Sequence, residues 1–171
     1  MIPEALARCQ GAYSLVILAG DKLIGVRDPR GFRPLWLGRR GEAHVLASET
    51  CALDMVGADP VREIDPGEMV VIDGGGAKSF RALSPKPARA CVFELIYFSR
   101  PDSVVFGESV DLIRRRLGRR LAEEHPAPAD IVIAVPDSSN SAALGFSEAS
   151  GVPFELGLIR NHYVGRTFIA P

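Results

Sequence analysis

Cysteine is scarce in this chain. Only Cys9, Cys51 and Cys91 occur in 171 residues, far apart and with no CxxC pair among them. That leaves no zinc-site spacing and implies a reduced, cytoplasmic setting without a disulfide framework. Long apolar runs are missing too, since none reaches the roughly 18 residues that a membrane-spanning helix needs. The opening MIPEALARCQ lacks the basic and apolar regions of a secretion signal, so no membrane partner is expected. Charge of one sign is not in excess: the formal net charge is −1 at pH 7. A balance so near zero gives no global field to draw nucleic acid or an anionic bilayer, and any anion site must be local. No two aspartates are adjacent, and no segment repeats.

What is present is a globular composition. Hydrophobic residues at 47% and charged residues at 24% exclude disorder, while 17 Gly and 13 Pro point to an α/β protein with many tight connections. The length fits one medium domain or parts of two, because domains usually hold roughly 100 to 150 residues. AYSLVILA at 12–19 and KLIGVRD after Gly20-Asp21 predict a β-hairpin. Asp28-Pro29-Arg30-Gly31 predicts a turn, with Pro fixing φ and Gly free to take a positive one. HVLAS at 44–48 predicts another strand, with Ser48 as N-cap of a short helix, ETCALDMVG, ended by Gly57. MVVID at 69–73 and SFRAL at 79–83 flank GGGAK, so the first part is expected to be a strand-rich meander with one short helix.

Ser84-Pro85-Lys86-Pro87-Ala88 cannot continue a strand interior, which places a domain boundary there: 1–84, a linker at 85–89, then 90–171. Cys91 opens an expected strand, ACVFELIYFSRPDS. Over 108–124, Val110, Ile113, Leu117 and Leu121 recur at helical spacing, with Arg114, Arg115, Arg119, Arg120, Glu123 and Glu124 mainly on other faces. IVIAV at 131–135 reads as a strand covered on both faces, and 138–150 as an Ala-rich helix ended by Gly151. Strand, helix and strand with parallel connectivity are expected in the second half.

Two segments carry candidate chemistry. The turn Val135-Pro136-Asp137-Ser138-Ser139-Asn140 follows the carboxyl end of the expected buried strand, where open α/β sheets place ligands. Backbone N–H groups at a helix start favour an anion or its hydrated metal, although Asp137 or Ser138 taken alone reads more simply as a helix cap. PFELGLIRNHYVGRTFI at 153–169 joins a strand to a polar loop. Within it Arg160 and Arg166 offer charge to phosphate oxygens, and Tyr163 adds a hydroxyl or a stacking face; as isolated residues they would be solvated surface. His162 has no partner in the sequence and is given no metal or catalytic role. Cys91 reads by default as a small buried apolar residue. Arg27, Asp28, Arg30 and Arg33 read as a turn braced by surface charge pairs, Glu49 and Asp54 as helix surface charges, and Arg114–Arg116 with Arg119-Arg120 as a solvated helix face or a domain contact.

VRDPRGFRPLWLG at 26–38, ASETCALD at 47–54, FELIYFSRPDS at 93–103, VPDSSNSAALGFSEASG at 135–151 and the 153–169 loop stand in order over nearly the whole chain. Together they closely resemble the amidophosphoribosyltransferase family. The resemblance implies an α/β chain with an α+β first part: the C-terminal half of an N-terminal nucleophile hydrolase domain at 1–84, then the beginning of a type I phosphoribosyltransferase domain at 90–171. It implies the first step of de novo purine biosynthesis, making 5-phosphoribosylamine from phosphoribosyl pyrophosphate and glutamine. It assigns substrate binding to Asp137, Ser138, Ser139, Asn140, Arg160, Tyr163 and Arg166, and a Mg²⁺ contact to Ser138, whose hydroxyl suits an ion that keeps much of its water. Arg160 stands where many members have lysine. Cys91 matches the first cysteine ligand of the 4Fe–4S cluster that some members hold; a cluster needs four ligands, and Cys9 and Cys51 do not match the others. Purine nucleotide inhibitors and a homo-oligomer are implied for the intact enzyme.

The resemblance also defines what to look for and not find. Glutamine hydrolysis in that family uses a terminal cysteine whose own α-amino group acts as base, whereas Met1-Ile2 begins this chain and Cys9 is followed by Gln10-Gly11-Ala12. Phosphoribosyl transfer uses an adjacent aspartate pair and a Gly-Thr-rich loop, both missing. The expectation is an internal segment, inactive alone, with an uncovered apolar face or strand edge. A non-catalytic phosphate- or nucleotide-binding regulatory protein derived from the family is the competing reading. A phosphoribosyltransferase outside purine synthesis is the third.

Overall fold

The computed structural model describes residues 2–84 and 86–165. They fall into two compact units, Met1–Val110 and Asp111–Pro171, so the division by compactness comes later than the change in composition at 85–89. The described residues mix helices with antiparallel sheets, an α+β arrangement.

In the first unit a short helix α1 (Ile2–Leu6) precedes strands β1 (Ser14–Ala19), β2 (Lys22–Arg27), β3 (Trp36–Arg40) and β4 (Ala43–Ala47). Helix α2 (Thr50–Met55) is followed by β5 (Asp59–Glu63), β6 (Glu68–Asp73) and β7 (Gly76–Arg81). The predicted hairpin is present: Ala19 pairs with Lys22 across a two-residue turn in which Gly20 takes φ of 60°, a conformation that costs a glycine nothing. One sheet runs β1-β2-β6-β7 and the other β4-β3-β5.

Strand alternation distributes the core. Val70 packs with Leu35, Leu37, Ile64, Leu46 and Ile72, while Met69 and Val71, pointing the opposite way, pack with Leu6, Ile24 and Val26. The sheets approach closely at Gly25, where a Cβ would stand 2.8 Å from Leu46 Cδ1. Val26, Ile64 and Val70 are 0% exposed, each burial stabilising by roughly 1.5–3 kcal/mol.

Three local expectations are corrected here. Ser48 does not cap α2; Glu49 holds the N-cap position in extended conformation without a side-chain cap bond. Instead the Cys51 N–H donates to Ser103 Oγ at 3.4 Å, and Thr50 Oγ1 accepts from the Val104 N–H at 2.9 Å. A distant loop meets the demand of the helix start, which local spacing could not show. Residues 94–98 are not a strand but a π-helical turn, Glu94–Phe98. Its Glu94 is buried, paired with Arg33 at 2.8 Å and accepting from Ser99 Oγ at 2.8 Å, a carboxylate demand that outweighs the β-prone apolar run. Lastly, α1 was not foreseen, being too short to show a helical period.

The proline-bearing run stays with the first unit: the N–H groups of Lys86, Arg89 and Cys91 donate to the carbonyls of Pro29, Arg30 and Phe32 at 2.9, 2.9 and 3.0 Å. A small hairpin of β8 (Val104–Val105) and β9 (Glu108–Ser109) follows.

The second unit is carried by α3 (Val110–Glu124) and α4 (Asn140–Ser150), the latter ended by Gly151 as expected. The apolar stripe on α3 is corrected. Its buried positions are Val110, Arg114, Gly118 and Ala122, while Leu117 and Leu121 are 47% and 50% exposed. The reason is the helix crossing: a Cβ at Gly118 would lie 1.9 Å from the Ala142 carbonyl oxygen, and one at Gly145 would lie 2.1 Å from that of Arg115. The backbones touch through two glycines, so small residues rather than bulky ones mark the contact face. Residues 131–135 are corrected as well. Val132 forms one parallel bridge with Phe154, which keeps the expected parallel connectivity, but Ile131, Ile133 and Val135 are exposed. A strand covered on both faces needs neighbours that the described residues do not supply. Among the described residues no helix is long and apolar enough to cross a membrane.

Candidate functional site

The turn at 135–140 sits between the Val132 bridge and the start of α4. Its peptide between Pro136 and Asp137 is cis. The N-cap is Ser139, not Asp137 or Ser138, and it makes no side-chain cap bond. Ser139 Oγ instead donates back to the Val135 carbonyl, and the Asn140 N–H reaches the Asp137 carbonyl at 3.3 Å. The simpler reading of Asp137 or Ser138 as a cap is therefore not what the backbone shows. A helix start without a side-chain acceptor keeps its N–H groups oriented toward whatever occupies the turn.

The polar loop meets this turn at one point. Arg160 Nη1 lies 3.3 Å from Asp137 Oδ2, with the two side chains 58% and 60% exposed. Two residues 23 positions apart, both singled out from sequence, are thus neighbours. Ser138, Ser139 and Asn140 are half-buried on the same turn. Tyr163 is fully exposed, its N–H donating to Asn161 Oδ1 at 2.9 Å, and its side chain is not part of the contact. Arg166 lies outside the described residues.

Behind the turn, charge is arranged in a chain of pairs. Arg115 joins Asp111 at 2.9 Å and Glu148 at 2.8 Å, and Arg119 also reaches Glu148. The Ser141 hydroxyl, more than any other group, holds the Asp111 carboxyl below its ordinary range, with Arg115 adding to the effect against some burial. Arg115 and Arg119 therefore link α3 to α4 rather than forming a bare basic face. Arg114 is buried, at 2% exposure.

The first unit contains the largest departure from the sequence reading. Arg27 and Asp28 are 5% and 0% exposed, not surface charges. Arg27 donates to the carbonyls of Arg33, Ile64 and Gly31 at 2.8, 2.6 and 3.1 Å and pairs with Glu63 at 3.0 Å. Asp28 accepts from the N–H groups of Arg30 and Phe32 at 2.8 and 3.0 Å. Burial pushes the Glu63 carboxyl up, against the pull of Arg27. Every bond runs to backbone or to one partner, so the cluster is an internal brace for the 28–33 turn. The adjacent Asp-Pro and Arg-Gly pairs signalled the turn, but nothing local signalled its burial.

Arg33 leaves the brace and lies over Phe98 at 4.4 Å. With Tyr13, Glu49, Glu94 and Ser99 it lines a cleft of about 400 Å³ that sequence reasoning missed, because its walls come from four separate stretches. Glu49 is not a free helix charge, since it accepts from the Arg100 N–H at 3.0 Å. Cys91 is partly buried and Cys51 buried, while Cys9 is exposed. Among the described residues no three His, Cys, Asp or Glu side chains group as metal ligands.

No family model matches the chain. Individual relatives do. It is 56% identical over 171 residues to the chloroplastic amidophosphoribosyltransferase of Glycine max, covering 99% of this chain and 30% of that protein. To the amidophosphoribosyltransferase of Synechococcus elongatus it is 55% identical over 175 residues, with coverages of 99% and 35%. To that of Bacillus subtilis it is 51% identical over 170 residues, with coverages of 99% and 36%. The solved B. subtilis glutamine phosphoribosylpyrophosphate amidotransferase complexed with ADP and GMP superposes with a TM-score of 0.92 at 50% identity, covering 99% of this chain and 37% of that one. In sequence and in backbone, the chain corresponds along nearly all its residues to a segment of amidophosphoribosyltransferases about a third of their length.

Proposed function

We propose that this chain is the part of an amidophosphoribosyltransferase that presents the pyrophosphate side of the phosphoribosyl site. In this reading residues 1–84 are later strands of a glutamine amidotransferase domain of the N-terminal nucleophile type, 85–89 a linker, and 90–171 the opening of a type I phosphoribosyltransferase domain. The complete enzyme makes 5-phosphoribosylamine from phosphoribosyl pyrophosphate and glutamine. The observation that carries the reading is the meeting of Arg160 with Asp137 at an uncapped helix start.

The chemistry follows from those groups. Pyrophosphate oxygens accept from N–H groups at the start of α4, where the helix dipole favours negative charge. Arg160, exposed and paired with Asp137, supplies a planar charge that phosphate can take over. Asp137 and the Ser138 hydroxyl are hard oxygen donors that suit Mg²⁺ arriving on the substrate with most of its waters. Tyr163, exposed three residues after Arg160, would add a hydroxyl or stacking face to the same ligand, and the resemblance gives Arg166 a phosphate role as well.

Neither half-reaction runs on the chain alone in this reading. The nitrogen of Cys9 is a peptide N–H donating to the Leu6 carbonyl at 3.0 Å, so it has no free α-amine to serve as base. Three free thiols fit a reduced, cytoplasmic compartment. For the complete enzyme, purine nucleotides as regulators and a homo-oligomer belong to the same proposal, the nucleotides because the solved relative was complexed with ADP and GMP.

Calorimetric titration of the chain with magnesium phosphoribosyl pyrophosphate tests the site, with Ser138→Ala and Arg160→Ala as variants. Salt-sensitive binding weakened by both is expected. Equal binding by all three proteins would place the ligand elsewhere. Ammonia release from glutamine that tracks with the chain through purification would overturn the claim of inactivity.

A further inference from the structure

The segment that carries Arg160 returns past the residues leading into the 135–140 turn, and two backbone bonds fix its start. The Val132 N–H donates to the Pro153 carbonyl at 2.8 Å and the Glu155 N–H to the Val132 carbonyl at 2.9 Å, framing the parallel bridge of Val132 with Phe154. Beyond them the Gly157 N–H donates back to the Glu155 carbonyl at 3.1 Å, within its own segment. What faces Ile133 there is a glycine: a Cβ at Gly157 would stand 2.7 Å from Ile133 Cγ2, 3.1 Å from its Cδ1 and 3.2 Å from its Cβ. Gly157 is not among the glycines with a positive φ, so its backbone suits other residues and only the room is lacking. Ile133 cannot supply that room cheaply, because its Cβ is fixed to the backbone and a β-branched side chain has few χ1 choices. Three residues on, Arg160 reaches Asp137 at 3.3 Å.

The geometry points to Gly157 as a positioning residue for the proposed phosphate site: without a side chain, it lets the returning segment close on Ile133 and so brings Arg160 to Asp137. Gly157 touches no ligand in this role. Glycine is the residue that permits such a close approach, and an arginine already held beside the turn needs less ordering when an anion arrives. The inference rests on the phosphate reading of the turn, but the delivery of Arg160 to Asp137 can be tested with no ligand present. In the opposing account Arg160, long and exposed, makes up any backbone shift by changing rotamer, and Gly157 matters only to local packing.

Two measurements on the whole chain separate these accounts. The first follows the guanidinium nitrogen resonances of Arg160 by NMR. In the parent, Asp137→Asn should move them; in Gly157→Ala it should not, because the pair is already apart. Adding Ile133→Ala, which takes Cγ2 and Cδ1 out of the contact, should restore the response. The second is titration with magnesium pyrophosphate. Gly157→Ala should weaken binding roughly fivefold in the parent and have no effect in Arg160→Ala, while Gly157→Ala with Ile133→Ala should return to within about twofold of Ile133→Ala alone. A Gly157→Ala chain whose Arg160 still responds to Asp137→Asn would overturn the role. So would pyrophosphate binding that is measurable and equal in parent and Gly157→Ala, or a weakening just as large in Arg160→Ala. Should Gly157→Ala lose the amide spectrum of the folded parent, the double variant carries the test, and an Arg160 there that ignores Asp137→Asn overturns the role. Should the parent ignore pyrophosphate while the resonances behave as expected, the phosphate reading falls and the positioning of Arg160 stands.

Discussion

Gly118→Ala sets two well-defined effects against each other. Alanine is the better helix former, and in an open helix interior the exchange would stabilise by up to about 1 kcal/mol. At Gly118 the new Cβ would stand 1.9 Å from the Ala142 carbonyl oxygen, 2.7 Å from its carbon and 2.9 Å from the Phe146 nitrogen. All three are backbone atoms, so no rotamer change relieves the clash. Restoring an ordinary contact of 3.4 Å requires the two helices to separate by more than an ångström, which loosens the close backbone crossing. Overpacking of this kind costs about 1–3 kcal/mol or more, enough to reverse the propensity gain. The net loss of roughly 1–2 kcal/mol should lower the thermal midpoint of a unit this small by about 5–15 °C, followed by far-ultraviolet circular dichroism. Gly145→Ala meets the Arg115 carbonyl at 2.1 Å and should behave alike, with the double variant less than additive because one retreat relieves both. A Gly118→Ala chain as stable as the parent would show that α3 and α4 do not pack as described.

Arg27→Lys keeps the charge but cannot serve three carbonyls and Glu63 together; a loss of about 3 kcal/mol is expected from bonds worth roughly 1.5–3 kcal/mol each, and urea unfolding at parental stability would contradict the brace. For Glu68, burial alone would push the carboxyl up, but hydrogen bonds from Arg62, the Asp65 N–H and Ser79 outweigh it and hold it at about 2, against an ordinary 4.5. A depressed carboxylate contributes stability that is full above pH 4.5 and lost as pH falls toward 2. With Arg62 at 39% exposure, screening reduces this to about 2 kcal/mol, so Glu68→Gln should flatten the stability profile in that window, and an unchanged profile would refute the pairing. Anaerobic reconstitution should load no stoichiometric iron and sulfide at Cys91, measured by metal and sulfide analysis; uptake abolished by Cys91→Ser would show ligands that the described fold does not group. Pyrophosphate binding should weaken at least fivefold without Mg²⁺, and Asp137→Asn should shrink that dependence; a response indifferent to Mg²⁺ would remove Asp137 from the ion's coordination.

Much of the fold was legible where the signal is local. Gly20-Asp21 between two apolar runs gave the β1–β2 hairpin, Gly57 and Gly151 ended α2 and α4, and the turn at 135–140 stood ahead of a helix as placed. The failures share a cause: partners distant in sequence. Arg27 and Asp28 look like turn charges until Ile64 and Glu63, more than thirty residues on, close over them. Glu94 turns an apolar run into a π-helical turn because Arg33 waits for it. Leu117 and Leu121 have the period of a core stripe, yet Gly118 has the packing, because closeness rather than bulk decides a backbone crossing. At the site, Asp137 and Arg160 were each identifiable, but their contact depends on how the 153–160 segment returns past Val132.

In the proposed phosphate site, that contact would let one turn hold a carboxylate and still receive an anion. Alone, Asp137 would repel pyrophosphate, and the helix N-terminus would be offset by a negative charge on its own approach. Arg160 cancels it at 3.3 Å in a pair more than half exposed on both sides, an interaction worth at most about 1 kcal/mol. So weak a pair offsets the charge of Asp137 yet yields readily. In the proposed site, Asp137 would face the divalent cation that accompanies pyrophosphate, and Arg160 would be free to pair with the phosphate oxygens. Each charge would then exchange one partner for another of opposite sign. A permanently buried Asp–Arg pair could not act this way, because separating it would leave a desolvated charge at a cost of several kcal/mol. The exposure of the pair suits that proposed exchange, in contrast to Arg27 and Glu63, whose burial suits a brace that never has to open.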